Sequence, residues 1–161
     1  MSPLHGIPFT LKDHIRLKGT SSTWGRLGLL YPLDDVTNAT IRQLIAEGAI
    51  PIAKSATPCS PSVITWSWRL GYARNPYELS RSAGGSSGGE AGFVGSGCVP
   101  FGIGSDIAGS VRFPCAWCGL VGLNPTAERT VMGENVGLMS SKHSFHAKDP
   151  QGSLGPIART V

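Results

Sequence analysis

No stretch of 18 or more apolar residues occurs in this chain of 161 residues, so nothing in it reads as a membrane-spanning helix. The N-terminal MSPLHGIPFTLKD lacks a basic start followed by an apolar run, and no secretory signal is legible there. Charge is scarce at 15% of residues, the net value is only +4, and no run of five like charges appears. No basic stripe is interleaved with aromatics, so a nucleic-acid partner is not expected. Cysteine is scarce as well. Of Cys59, Cys98, Cys115 and Cys118 only the last two are close, which rules out a disulfide framework and leaves any zinc spacing incomplete. His143 and His146 could complete such a set only formally. Small, buried, reduced thiols in FPCAWCGLVGL are the better reading, and they point to an intracellular, reducing compartment. Neither a metal nor an organic cofactor is expected. The sequon Asn38-Ala39-Thr40 sits at a helix start and reads as chance.

What the chain does have is glycine and proline. The 22 Gly and 12 Pro make up about a fifth of it, against ordinary usage of about 12%. At 40% hydrophobic it should nonetheless fold around a core, and its length fits a single domain. Residues 7–12, IPFTLK, predict a buried strand ending at Lys12. A polar stretch follows from Lys18 to Gly28. Asp34, Asp35, Thr37 and Asn38 then supply acidic and capping residues for a helix with Ile41, Leu44, Ile45 and Ala49 on one face, stopped at Gly48. Residues 49–54, AIPIAK, predict a second strand. The alternation argues for an α/β fold. Trp66, Trp68, Tyr72 and Tyr77, in a stretch that reaches an Asn75-Pro76 turn, read as packing residues, with a ligand-lining role as the sharper alternative.

The unusual segment is 82–110, with ten Gly and six Ser in 29 residues and only Glu90 and Asp106 charged. Apolar residues from Phe93 to Ile107 thread the glycines, so the segment reads as a compact buried site and not as a linker. It contains no G-x-x-x-x-G-K-[ST] and no G-x-G-x-x-G, which excludes the usual phosphate cradles. G-x-S-x-G occurs twice, centred on Ser86 and Ser87. With Asp106 and His143 or His146 further on, that is a formal but weak match to a nucleophile elbow.

A fuller pattern is GGSSGGE at 84–90 followed by GIGSDIAGSVRFP at 102–114. Together these blocks resemble the amidase signature family, whose Gly/Ser-rich segment ends in D-x-[GA]-x-S-x-R-x-P. LHGIPFTLKD, EGAIPIAKSATP, GLVGLNPT and SLGPIARTV have counterparts in the same order, so the resemblance covers essentially the whole chain. KGTSSTWG, the Trp-rich stretch and RFPCAWCGLVGLNPT are most similar to the fatty-acid amide hydrolases. The resemblance implies a mixed β-sheet core flanked by helices, of which residues 1–161 would be a fragment truncated at both ends.

It also implies roles. Ser110 would be the nucleophile, Ser86 the bridging serine in a cis peptide, and Lys12 the base. Ile107, Ala108, Gly109 and Ser110 would offer N–H groups to an oxyanion, while Ser87, Asp106 and Arg112 would support the site without reacting, the alternative for the last two being a structural ion pair. The chemistry is coherent, because a serine hydroxyl needs a positioned base. Lysine can serve only when burial brings its pKa down from about 10.4. The implied substrate is a small-molecule amide with a lipid acyl chain. Membrane association would come only through segments outside the chain, and a homodimer would belong to the full-length protein. Two rival expectations stand beside this one. The chain could be the amidase subunit of a glutamine-dependent amidotransferase, or a truncated, inactive fragment of an amidase.

Overall fold

In the computed structural model, which describes residues 1–28, 31–130, 132 and 152–161, the strand predicted up to Lys12 becomes the centre of the fold. This strand, β1 (Pro8–Lys12), is buried along nearly its whole length. An apolar run without alternation suits a strand covered on both faces of a parallel sheet. The predicted helix is α1 (Ala39–Ala46). It begins after Asn38, whose Oδ1 accepts the N–H groups of Thr40 at 2.9 Å and Ile41 at 3.4 Å. Asn38 is fully buried in that capping role, which leaves its amide no room for a glycan. The chain returns as β2 (Ile50–Ser55), parallel to β1, with one register shift at Phe9/Thr10.

A short hairpin, β3 (Trp66–Ser67) and β4 (Gly71–Tyr72), carries the aromatic group. Trp66 meets Trp68 edge-on at 4.7 Å, and Arg74 lies over the Tyr72 ring at 5.1 Å. Trp68, Tyr72 and Tyr77 are largely exposed, and Trp66 packs against Trp68 and Tyr72, so the packing is a surface cluster around Trp66.

Helix α2 (Gly88–Gly95) has the sequence GGEAGFVG, which no propensity scale favours, since each Gly costs about 1 kcal/mol relative to Ala in a helix interior. Close packing explains it. A Cβ on Gly88 would lie 2.6 Å from Thr65 Oγ1, and one on Gly89 would lie 2.5 Å from the backbone of Ala56. Beneath it runs β5 (Phe101–Asp106), parallel to β1 on the side away from β2. Two short elements follow, α3 (Arg112–Trp117) and β6 (Val121–Gly122). Last is β7 (Ser153–Ala158), antiparallel to both β5 and β6.

The sheet order is therefore β2-β1-β5-β7-β6, a mixed sheet as expected for the α/β class. Phe9, Leu11, Ile15, Ile41, Ile103 and Leu154 form one core, and Val94, Val99, Val111, Cys115 and Ile157 a second. Cys115 and Cys118 are buried, and burial pushes their thiols up to about 12 and about 11, which fits the structural role read from the sequence. Among the described residues no helix is long and apolar enough to cross a membrane.

Candidate active site

Lys12 ends β1 at the carboxyl edge of the parallel strands, where sheets of this kind gather their functional groups. Its Nζ donates to Ser86 Oγ at 2.7 Å and to Ser105 Oγ at 3.1 Å. The side chain is 1% exposed. Burial brings its pKa down to about 7, although the charges of Glu90 and Asp106 pull the other way. A lysine with an ordinary pKa would be protonated and useless as a base. This one is poised near neutrality.

Ser86 follows a cis peptide bond from Gly85, the geometry the resemblance implied. The adjoining Ser87 is not in the reaction zone. It is fully buried, its N–H donates to the Ser110 carbonyl at 3.0 Å, and its hydroxyl donates to the Ser105 carbonyl at 3.3 Å. It thus ties the two serine loops together. Gly104 makes that possible, since a Cβ there would come within 2.7 Å of Ser87 Oγ.

Asp106 organises the loop that bears Ser110. Its Oδ1 accepts from Gly109 N at 2.6 Å and Arg112 Nη2 at 2.9 Å, and its Oδ2 from Val111 N at 3.0 Å and Arg112 Nε at 3.0 Å. Burial raises the Asp106 carboxyl, but these hydrogen bonds outweigh it and hold its pKa at about 2. The two readings of Asp106 and Arg112, a loop support and an ion pair, are thus one arrangement. Gly109 requires a correction. Its N–H donates to Asp106, so of the N–H groups that the resemblance implied for an oxyanion only Ile107, Ala108 and Ser110 are outside this contact.

Lys12, Ser86, Ser105, Ile107, Ala108 and Ser110 all line one cavity of about 480 Å³. Trp24, Arg26, Pro58, Cys59, Pro61 and Met132 form another part of its wall, with His14 stacked on Trp24 at 4.4 Å. The Trp24 loop is pinned by Asp13, whose Oδ2 accepts from Thr23 N at 2.9 Å and Trp24 N at 2.6 Å. Sequence reasoning missed Ser105 as a second partner of the lysine and Asp13 as the anchor of the wall. Ser105 stands beside Asp106 in the motif, and Asp13 stands next to Lys12, so adjacency was the only signal for either. Among the described residues no group of His, Cys, Asp and Glu could hold a metal ion, and His143 and His146 lie outside the described residues.

The profile of the family described as Amidase matches residues 1–161. The chain is 40% identical over 162 residues to one subunit of the Glutamyl-tRNA(Gln) amidotransferase of Geobacillus stearothermophilus, covering 99% of itself and 31% of that protein. In three dimensions it is similar to 6-aminohexanoate cyclic dimer hydrolase, with a TM-score of 0.81 and 31% identity over 99% of this chain and 32% of the other. It is also similar to the peptide amidase of Stenotrophomonas maltophilia, with a TM-score of 0.74 and 28% identity over 98% of this chain and 32% of the other. The chain spans about a third of the length of the curated relatives it matches.

Proposed function

The chain belongs to the amidase family, and on that premise we propose that it carries the reaction centre of a serine amidase, hydrolysing a carboxamide C–N bond through an acyl-enzyme on Ser110. The observation that carries the proposal is the 2.7 Å contact between buried Lys12 and Ser86, on the cavity that Ser110 also lines. Neutral Lys12 takes the proton of Ser86 as Ser86 takes that of Ser110, and Ser110 Oγ bonds to the amide carbon. The tetrahedral oxyanion is met by the N–H groups of Ile107, Ala108 and Ser110. Collapse breaks the C–N bond, and the proton held by Lys12 passes back through Ser86 to the leaving amine. Water then attacks the ester by the same relay, releasing the acid and restoring Ser110.

The 161 residues are read as the part of one amidase domain that bears the lysine strand and the Gly/Ser-rich segment. Two substrate classes follow. The apolar wall formed by Trp24, Pro58, Pro61 and Met132 supports an amide with an apolar acyl group, of which a fatty-acid amide is the narrowest form. The 40% identity to a component of an amidotransferase equally supports release of ammonia from glutamine within a complex. Hydrolysis of glutamine that requires a partner protein would select the second class, and turnover of a simple acyl amide without one would select the first.

The nucleophile is tested with a fluorophosphonate probe. Wild-type chain should label at one serine, and Ser110→Ala should lose at least 99% of that label. Equal labelling of the two would overturn the assignment.

A further inference from the structure

The mechanism leaves unused a second buried titratable group, Glu90 on α2. Its side chain is fully buried against the sheet. Gly102 leaves the space for it, because a Cβ there would lie 2.1 Å from Glu90 Oε2. The same oxygen accepts the hydroxyl of Thr10, which pairs with Gly102 across β1 and β5. Thr10 and Lys12 are two residues apart on one strand, so their side chains share a face. Glu90 is thereby held one pleat from the lysine.

We propose that Glu90 is a positioning residue that sets the protonation state of Lys12, its carboxyl group, held by Thr10 beneath Gly102, being the neighbouring charge against which the buried ammonium keeps or releases its proton. This deepens the amidase reading and rests on it. Each group feels the other. The charge of Glu90 raises the proton affinity of Lys12 against burial, and burial pushes Glu90 up to about 7, opposed by the hydroxyls of Ser55 and Thr10 and by Lys12.

The other charged groups on the packed elements are already committed. Lys54 of β2 is paired with Asp34, and Asp106 of β5 with Arg112 of α3. Cys115 of α3 stays protonated, and β7 brings no titratable side chain. Asp106 also acts on Lys12, but its charge persists down to about pH 2. Glu90 is the neighbour whose charge changes where the lysine titrates.

The test is the titration of the Lys12 side chain, read from its 13Cε shift in the full chain labelled with [13C]lysine. In the wild type the midpoint should fall near 7. Glu90→Gln should move it to lower pH by about one unit, the low end for loss of a nearby opposite charge. That corresponds to about a tenfold larger neutral fraction below the midpoint. Thr10→Val should shift it in the same direction by less, because a less anchored carboxylate is ionised less. A wild-type midpoint near 10, or an unmoved midpoint in either folded variant, overturns the proposal. Should Glu90→Gln fail to fold, Thr10→Val and the wild-type midpoint still decide. The readout needs no nucleophile, so its failure is distinct from loss of Ser110 labelling, which would overturn the amidase reading instead.

Discussion

Lys12 and Lys54 lie on adjacent parallel strands, one residue apart in register, and both are drawn into the protein. They differ in what the ammonium meets. Lys54 Nζ donates to the Ser21 carbonyl at 3.0 Å and Ser22 Oγ at 2.9 Å and pairs with Asp34 at 3.5 Å. Arg16 braces the same carboxylate at 3.4 Å. Burial lowers the pKa of Lys54, and Asp34 opposes that fall with both its charge and a hydrogen bond. Lys12 has two serine hydroxyls for direct partners, with Glu90 and Asp106 acting on it only through their charge. A direct carboxylate fixes a lysine as a structural cation, whereas hydroxyls leave its proton negotiable. The difference between the two strands is the difference between a cation held by a carboxylate and one held by hydroxyls, the setting the proposed base requires.

The most severe way to break this comparison is to replace both lysines by methionine. Lys12→Met should slow fluorophosphonate labelling of Ser110 by about 10²–10⁴-fold, the usual worth of a positioned base. In chemical denaturation it should leave the chain as stable as before or more so, because a buried ammonium has been exchanged for an apolar side chain. Lys54→Met should do the reverse. Labelling should stay within about threefold, while stability falls by about 3–5 kcal/mol as Asp34 loses one of its two cations. Parallel losses in both variants would erase the distinction.

A gentler probe is pH. The labelling rate should rise about tenfold per unit below about pH 7 and level off above it, because only neutral Lys12 accepts the proton. Lys54→Met should leave that limb in place. A limb near pH 10 would return Lys12 to the status of an ordinary lysine.

The smallest expected effect is on acid stability. The Asp106 carboxyl falls from 3.8 to about 2 on folding, a contribution of about 2 kcal/mol that is present above 3.8 and lost as pH falls through about 2. Asp106→Asn should remove it and flatten the stability curve between those values.

Much of this was legible in residues close together in the chain. Asn38 announced its cap, Ile41 and Leu44 the helix face, and the run up to Lys12 its strand, because each depends on local periodicity. The burial of segment 82–110 was also readable, from apolar residues threading the glycines. What was not legible depends on register between distant strands. Ser105 and Glu90 meet the lysine's surroundings only once β5 and α2 have docked on β1. The loss of Gly109 as an oxyanion donor depends on where one carboxylate turns. Nor could the narrower likeness to fatty-acid amide hydrolases be read securely. Of KGTSSTWG only Trp24 lines the cavity, and the Trp-rich stretch forms a surface hairpin whose Trp68 N–H donates to Gly25 of the neighbouring loop at 3.2 Å, so neither string defines an acyl pocket.

The missing Cβ atoms at Gly102 and Gly104 have a use in sorting sequences. They are clearances for Glu90 and Ser87, not turns, so neither position tolerates even a methyl group without displacing a side chain. A sequence that keeps Lys12, Ser86 and Ser110 but carries alanine at 102 or 104 has the letters of the site without its spacing. Scanning sequences for all five positions, and not only for those three, would separate chains that keep this spacing from chains that do not.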